Sequence, residues 1–443
     1  MANTYFSRTI TPSTINKKKF TFSAWVKIDN LTAEGDILSF NGSTDYTVLR
    51  IKNADRIDFL TYDGGVQARR VSTAKYRDCS AFYHVVLSVN SDDTTADDRI
   101  KIYVNGERLT AFDSSVNPSS GFEFINNNKV NLNIGSNVDQ TPTRWYFGGI
   151  MSHVHFIDGL TYDASAFGET DSTTGIWKPK TAPSVTYGTN GFFLKFENSA
   201  SLGLDSSVNT NNFTVNGTPT QTVDTPSNVF ATMNPLSALT IPPTFSNGNL
   251  TTAIPTSGGA FRSTLAVSTG KWYCEVKLNE MVSSMIGIQP IDTTYSTNIF
   301  NDGAGIGLYS TSGTIYRNTS NLGNIASVAS GDIIGMAIDL DSNNIYFSKN
   351  GQYASGIAGS WNQAFGSAYA VATTSGNEYC IAGSNGSSGT TSNFSYNFGN
   401  GFFGTTAVST PTTDESGLGT FEYTVPAGYY ALCTKNINTQ EYA

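Results

Sequence analysis

Acidic side chains are the first candidates for chemistry in this sequence of 443 residues. Retaining glycosidases need two carboxylates about 5 Å apart, one acting as acid and the other as nucleophile. Such a pair often appears on one strand as E-x-D-x-x-E, and this spacing does not occur. The nearest acidic clusters are four aspartates at 92–93 and 97–98, in a polar loop, and Glu169 with Asp171, in irregular chain. We interpret both as solvated surface groups, and we predict that the protein is not an enzyme.

Histidines and cysteines offer little more chemistry. A strand would place His153 and His155 on one face, where a third ligand would complete a metal site; satisfied histidines are the alternative. His84 lies in an apolar run and is interpreted as structural. The cysteines at 79, 274, 380 and 433 contain no C-x-x-C pair, which argues against structural zinc. We expect Cys274 and Cys380 to be buried thiols. No G-x-S-x-G, P-loop or H-E-x-x-H motif occurs.

Aromatic side chains in loop-like tracts remain, and their chemistry is recognition. An exposed ring can stack on the apolar face of a sugar while neighbouring polar groups bind its hydroxyls. The candidate ligand-binding residues are Trp145, Tyr146, Trp177 and Trp361. The alternative is that each ring closes the end of a folded domain.

The composition argues against several classes of protein. The net charge of −9 argues against nucleic acid as a partner, because binding phosphate requires a basic face. No window approaches the roughly 20 apolar residues of a membrane span, so we expect no membrane insertion. The first residues, MANTYFSRT, are polar, so we expect no signal peptide and synthesis in a cytoplasm. Abundant Gly, Ser, Thr and Asn with 39% hydrophobic residues favour short strands joined by turns.

The elements that must position these residues are β-strands. Residues 82–89, FYHVVLSV, and 99–104, RIKIYV, read as two strands around a polar loop. In the second, Ile100, Ile102 and Val104 alternate with polar residues, which is the period of a half-buried strand. A tight turn at 105–106, Asn-Gly, follows, and ERLTAF is predicted to leave as a third strand. The tract 162–183 lacks periodicity and is predicted to be an ordered loop.

A second organising stretch lies at 330–352. There IIGMAIDL and NIYFSK are predicted to pair across a turn, and the Asn-Gly at 350–351 forms another. Between the two regions, residues 218–243 are Pro- and Thr-rich, which indicates a linker or an extended strap. We therefore predict a first domain at 1–217, the linker at 218–243, and a second domain at 244–443 with a C-terminal strand extension.

Three segments of the first domain resemble a laminin-G-like, concanavalin A-like domain. They are FTFSAWVKIDN, then FYHVVLSV with DRIKIYVNGERLTAF, and then YFGGIMSHVHFIDG. The resemblance implies an antiparallel β-sandwich of the jelly-roll type. Sandwiches of this family bind sugars, bind proteins, cleave glycans or build particles, so the fold alone does not choose among these functions.

The segment LDSSVNTNNFTVNG resembles a motif that opens such domains, yet here it lies at the end of one. The resemblance implies a circularly permuted domain, with the start of another module as the alternative. It also implies a calcium site, because hard oxygen ligands on a tight loop suit Ca²⁺. The matching positions are Asp205, Asn209, Asn211 and Asn212. The alternative is an Asx-rich turn without a metal.

The order GKWYCEV, IGI, GIGLY and GDIIGMAIDLDSNNIYFSKNG, over about residues 245–400, resembles a SPRY (B30.2) domain. That resemblance implies a second antiparallel sandwich, a binding module that presents loops to peptides or protein partners. The predicted fold class is therefore all-β, with two antiparallel β-sandwich domains, laminin-G/concanavalin A-like and then SPRY-like.

The whole first domain, and FGETDSTTGIWKPK above all, resembles laminin-G-like structural proteins of tailed phages, especially marine ones. This resemblance implies a non-catalytic protein of the virion surface, either capsid decoration, head fibre or tail fibre. Its partners would be other virion proteins and host surface glycans or other molecules. Such proteins often form trimers, although no heptad repeat enforces one here. The alternatives are a particle-borne polysaccharide depolymerase and a cellular adhesin or scaffold.

Overall fold

The structure is a computed structural model. It describes residues 4–441 except 30, 32, 43, 53, 138–144, 238–240, 257–258, 294–303, 310–311, 319 and 386–390. The chain divides into two compact units, Met1–Gln221 with Thr225–Ser227, and Thr222–Asp224 with Asn228–Ala443. We call them the first and second units. The domain limits expected at 217 and 244 stay a prediction.

Alternating apolar residues and frequent turns give the first unit sixteen described strands. They are Tyr5–Thr9 (β1), Lys19–Ile28 (β2), Gly35–Asn41 (β3), Tyr46–Lys52 (β4), Arg56–Tyr62 (β5), Val66–Ser72 (β6), Tyr83–Asn90 (β7), Ile100–Val104 (β8), Glu107–Arg108 (β9), Phe112–Val116 (β10), Asn131–Ile134 (β11), Gly149–Asp158 (β12), Gly168–Thr170 (β13), Trp177–Pro179 (β14), Phe192–Leu194 (β15) and Thr214–Asn216 (β16). Short 3-10 turns occupy Ala96–Asp98 and Ala164–Ala166.

Two antiparallel sheets form the sandwich of the first unit. One has the order β10-β6-β5-β4-β3-β11-β1-β16, and the other has the order β15-β12-β2-β7-β8-β9. Phe20, Phe40, Phe59, Phe124 and Phe156 are buried between them, with several ring centroids about 6 Å apart. These rings remove large apolar areas from water and account for much of the core. The segment with the LDSSVNTNNFTVNG motif belongs to this unit, because β16 pairs with β1. The permutation itself stays a prediction.

A third layer covers the outer face of the six-stranded sheet. It consists of the turn Ala164–Ala166 and the hairpin of β13 and β14. Val86 and Ile157 point outwards from the sheet and pack with Phe167 of this layer. The expected ordered loop at 162–183 is therefore a small packed structure. Its sequence lacks alternation because its strands are only three residues long.

The second unit contains twenty described strands and one helix. The strands are Thr244–Ser246 (β17), Thr251–Ile254 (β18), Phe261–Val267 (β19), Lys271–Glu280 (β20), Ser284–Pro290 (β21), Ile306–Tyr309 (β22), Thr314–Arg317 (β23), Ser320–Asn324 (β24), Ile333–Asp339 (β25), Asn344–Lys349 (β26), Gln352–Ala354 (β27), Trp361–Gln363 (β28), Ala370–Ala372 (β29), Tyr379–Asn385 (β30), Ser392–Asn397 (β31), Phe402–Phe403 (β32), Thr406–Ala407 (β33), Thr412–Thr413 (β34), Thr420–Phe421 (β35) and Tyr430–Ala431 (β36). The helix is Thr434–Glu441 (α1), and 3-10 turns occupy Pro235–Ser237 and Phe365–Ser367.

The second unit is also a two-sheet sandwich. One sheet has the order β17-β18-β31-β20-β25-β26-β27-β28, with β29 on β26 and β36 on β20; the other has the order β19-β30-β21-β22-β23-β24. The core between them contains Trp272, Ile334, Met336 and Phe394. Cys274 and Cys380 are buried thiols outside any disulfide, as expected. Phe230 and Met233, from the expected linker, are buried in this unit.

The predicted all-β class and both hairpins are confirmed. Strands β7 and β8 pair antiparallel, as do β25 and β26. The prediction of one strand for ERLTAF is wrong: β9 ends at Arg108, and β10 begins at Phe112 in the other sheet. Leu109 packs against the core at the crossing. No helix among the described residues is long and apolar enough to cross a bilayer.

Candidate functional site

Trp145 lies where the chain returns to the first residues of β3. Its backbone carbonyl accepts a hydrogen bond from the N–H of Asp36, at 3.3 Å. Its ring lies over the guanidinium of Arg50, 5.1 Å from carbon to centroid, and the residue is only half-buried. A planar cation over an indole is a favourable contact that also fixes the ring plane. Trp145 is therefore a partly exposed ring held on a sheet rather than on a free loop.

A row of charges across three strands holds Arg50. Because β4 and β5 are antiparallel, Arg50 lies directly opposite Asp58. Arg50 Nε and Nη2 donate to Asp58 Oδ2 at 3.1 and 3.0 Å, and Glu34 lies 3.6 Å from Nη1. Arg69 on β6 donates to both oxygens of Asp58. Burial alone would lower the pKa of Arg50, but the neighbouring carboxylates raise it, so its charge is firmly held.

Asp36 is a buried carboxyl beside this row. Neither of its oxygens has a hydrogen-bond donor at proper distance and angle, and both polar atoms of Asn137, close by, also lack a partner. Burial raises the pKa of Asp36 to about 8, although Arg50 and the Asn137 amide oppose the rise. Native proteins contain few such groups. At neutral pH Asp36 is largely protonated and adds no negative charge to the surface.

Tyr146 completes the surface. Its ring centroid lies 6.2 Å from that of Tyr5, and its hydroxyl is buried without a hydrogen-bond partner. It lines a small cleft with Glu34, Gly35 and Phe147, among others. We call the set Glu34, Asp36, Arg50, Asp58, Arg69, Trp145 and Tyr146 the Trp145 surface. Of the four aromatic candidates, the consecutive residues Trp145 and Tyr146 belong to this surface.

Trp177, by contrast, is packed inward by the third layer. Its indole N–H donates to Nδ1 of His84 at 3.0 Å, and Nε2 of His84 lies 2.8 Å from the Ser23 hydroxyl. The His84 ring also stacks on Trp25, with centroids 4.6 Å apart. Since Nδ1 accepts, Nε2 carries the proton, and burial lowers the pKa of His84 to about 3. This geometry favours the alternative for Trp177, a ring that closes the fold.

Trp361 lies in the second unit. Its indole N–H donates to the carbonyl of Ala326 at 2.7 Å, and its ring packs against the core while staying half-buried. An engaged indole nitrogen and a packed ring favour a structural role here too. The ligand-binding assignment of these residues stays a prediction.

The Asp205 loop forms a closed network of hydrogen bonds. The Asp205 carboxylate accepts from the backbone N–H groups of Phe193, Ser207 and Asn211 and from the Ser207 hydroxyl, at 2.7–2.8 Å. The Asn212 side-chain oxygen accepts from the N–H of Asp205 at 2.9 Å. The N–H and O–H donors therefore already occupy the Asp205 and Asn212 side-chain oxygens that a calcium ion would need as ligands.

The other two candidates of the loop point towards neighbouring backbone. The Asn209 and Asn211 amides both donate to the carbonyl of Gly191, at 2.9 Å. The remaining side-chain oxygen of Asn211 accepts from Arg8. The four residues therefore do not fit a calcium ion in this arrangement, and the Asx-turn alternative fits better.

His153 lies within a bulge of β12 and His155 follows it, where the pairing with β2 shifts register. His153 has a positive φ of 49° and contacts the Ser152 hydroxyl. His155 stacks on Phe193 at 3.9 Å, and its Nδ1 lies 3.0 Å from the Tyr187 hydroxyl. Burial lowers the pKa of both imidazoles. Among the described residues no three His, Cys, Asp or Glu side chains come together as metal ligands.

Sequence reasoning missed the charged row under Trp145. A local signal existed, since Arg50 and Asp58 each interrupt an apolar strand at a position that alternation assigns to the outer face. What the sequence does not show is that two strands place these charges opposite each other, or that residue 145 returns to cover them. Asp36 was missed for the same reason.

Two family models match the chain. Residues 3–164 match the family described as the concanavalin A-like lectin/glucanases superfamily, and residues 271–383 match the SPRY domain. No curated protein matches.

Solved structures that resemble the chain include three SPRY domains. That of human HERC1 is 16% identical, with a TM-score of 0.29, and covers 37% of this chain and 96% of its own. The TRIM65 PSpry domain is 16% identical, with a TM-score of 0.30, covering 38% and 91%. A further human SPRY domain is 17% identical, with a TM-score of 0.25, covering 33% and 90%. From the family matches, the chain carries a concanavalin A-like domain followed by a SPRY domain.

Proposed function

We propose that the protein is a non-catalytic surface protein of a phage particle that binds host surface glycans. Its two domains are of kinds that suggest a binding or adhesin role. The observation that carries the proposal is Trp145, a partly exposed indole that lies over Arg50 and is hydrogen-bonded through its carbonyl to β3. Aromatic rings held in place beside polar side chains are typical of sites that bind sugars.

The contacts of the acidic residues support a role without catalysis. Asp58 is fully occupied by two arginines, and Asp205 by four donors. In the exposed clusters, Asp98 pairs with Arg108 at 2.6 Å. Asp171 accepts from two backbone N–H groups and pairs with Lys178. A glycosidase needs instead an acid and a nucleophile facing the same bond.

The phage assignment rests on the sequence resemblance of the first domain. Its most diagnostic segment, FGETDSTTGIWKPK, forms the hairpin of β13 and β14 in the third layer. On this proposal the chain is made in the host cytoplasm and assembles, as a single copy or a trimer, with capsid or tail proteins.

Antibody labelling of intact particles, imaged by electron microscopy, tests this location. Label at regular positions on the capsid would indicate decoration, and label at the tail or fibre tips would indicate host attachment. Particles without label would overturn the virion proposal and favour a cellular adhesin or scaffold.

A further inference from the structure

We infer that the Trp145 surface selects sugars that are uncharged or carry an ammonium group, and discriminates against anionic sugars such as uronic acids. This inference rests on the proposed function and names the ligand class of the same site. It follows from the way in which the charges around the indole are already paired.

The Trp145 indole provides a surface on which a sugar ring can stack. One face of the Trp145 indole is covered by the Arg50 guanidinium, and the residue stays half-buried. The face of an indole ring is apolar and planar, which suits the C–H face of a pyranose ring. Stacking of this kind does not depend on the charge of the sugar, so any charge preference must come from the neighbours.

The two arginines of this surface, Arg50 and Arg69, are engaged by carboxylates of the protein itself. Arg50 is bound by Asp58 and Glu34 and faces the indole, and its side chain is only 7% exposed. Arg69 is 22% exposed and makes two hydrogen bonds to Asp58. Recognition of a carboxylate by arginine depends on a free, bidentate fork of N–H groups. Asp58 occupies the Nε–Nη2 edge of both guanidinium groups, so neither offers that edge to a sugar carboxylate.

Glu34 is the carboxylate of this surface that stays accessible. Glu34 is 23% exposed, has one contact with Arg50 at 3.6 Å, and lines the cleft with Tyr146. A sugar carboxylate placed beside Glu34 would meet a like charge and lose part of its own hydration. A hydroxyl or an ammonium group can instead donate a hydrogen bond to Glu34. The net charge of −9 acts in the same direction at longer range.

The test uses the full chain and three β-1,4-linked hexamers, of glucose, glucosamine and glucuronic acid, with affinities measured by calorimetry. We expect the glucose or glucosamine hexamer to bind at least about tenfold more tightly than the glucuronic acid hexamer, a difference of about 1.4 kcal/mol. Trp145→Ala should abolish binding of all three. Glu34→Gln should tighten binding of the glucuronic acid hexamer and weaken that of the glucosamine hexamer, because it removes the negative charge that repels the first and attracts the second.

Matched controls are Trp361→Phe in the second unit, and Glu123→Gln, an exposed carboxylate of the first unit outside the site. Both should bind like the unchanged chain. Equal or tighter binding of the glucuronic acid hexamer, or no measurable binding of any hexamer, overturns the inference. The antibody labelling of particles tests the virion location separately. Labelled particles would support that location whether or not the hexamers bind, and unlabelled particles would overturn the location without deciding the sugar preference.

Discussion

Asp58 shows how the first unit accommodates a charge inside a sheet. Its carboxylate has no exposed surface, yet Arg50 and Arg69 both donate to it. Removing one partner of a buried ion pair typically costs about 3–5 kcal/mol, because the other charge is left uncompensated. The brace under Trp145 is therefore stiff, and changes at Asp58 would disturb both folding and the indole.

Asp36 should make the stability of the first unit depend on pH. Burial raises its pKa to about 8 from the ordinary value of 3.8, so the folded chain holds this proton more tightly than the unfolded chain. The stability this provides is complete below about pH 4 and is lost as the pH rises through 8, by up to roughly 1.4 kcal/mol per pH unit. Asp36→Asn should remove this slope, as measured by urea unfolding at pH 5 to 8.

Glu275 is a second buried carboxyl whose titration would affect the same unfolding experiment. Burial raises its pKa to about 7, so the second unit should show a similar trend over a narrower range. Comparing Asp36→Asn and Glu275→Gln with the unchanged chain at each pH separates the two contributions. If the slope in Asp36→Asn is unchanged, Asp36 is ionised in the folded chain and our account of its environment is wrong.

Asp205 should stabilise the first unit without a metal. Asp205→Asn places an amide N–H₂ among N–H donors, and each donor left without an acceptor costs about 1–3 kcal/mol. We expect a clear loss of unfolding free energy, and no change in melting temperature when calcium is added to the unchanged chain or removed with a chelator. A calcium-dependent rise that Asp205→Asn abolishes would restore the metal assignment for this loop.

At the scale of elements, strands with clear alternation could be predicted and the pieces that cover them could not. The period of Ile100, Ile102 and Val104 is a local property, and it predicted β8 correctly. The row from Glu34 to Arg69 depends on the register of β4, β5 and β6, which no local pattern specifies. Likewise, the contact between Trp177 and His84 joins residues 93 positions apart.

In the hairpin of β13 and β14, the Trp177 indole packs directly against Gly168. A Cβ at Gly168 would lie 2.4 Å from Cζ2 of Trp177, too close for either to keep its place. Gly168→Ala should lower the melting temperature, and Trp177→Ala should lower the unfolding free energy by less than the about 3–5 kcal/mol typical of a fully buried Trp, because Trp177 is half-buried. The double variant should be less destabilised than the sum, because removing the indole removes the clash.

Gly65→Ala provides the control for that cycle, since a Cβ there meets only the end of Gln67, at 4.0 Å. It should unfold like the unchanged chain. Strictly additive effects of Gly168→Ala and Trp177→Ala in thermal unfolding would show that the predicted contact does not exist.

The C-terminal segment of the second unit should depend on Glu275. This buried carboxylate accepts from the backbone N–H groups of Glu422 and Tyr423, both at 2.9 Å. Phe421 packs nearby in a small outer core with Tyr273. Glu275→Gln places an amide donor against these N–H groups, so hydrogen exchange over residues 409–433 should accelerate. Glu378→Gln, at an exposed carboxylate, should leave exchange unchanged. Equal protection of residues 409–433 in both variants would show that Glu275 does not hold this segment.

At the scale of the whole molecule, two sandwich domains occur in one chain, of kinds that suggest a binding role, and the Trp145 surface is the recognition site that we propose. Its charged residues are engaged in holding the indole rather than in aligning an acid with a nucleophile. The central claim is therefore binding without cleavage.

One measurement tests that claim most directly. The full chain is incubated with envelope polysaccharide of the host, and bound protein and newly formed reducing ends are quantified in the same samples. We predict saturable binding that Trp145→Ala removes and Trp361→Phe keeps, with no reducing ends above the protein-free control. Release of reducing ends that a single Asp or Glu substitution abolishes would contradict the account and identify the protein as a depolymerase.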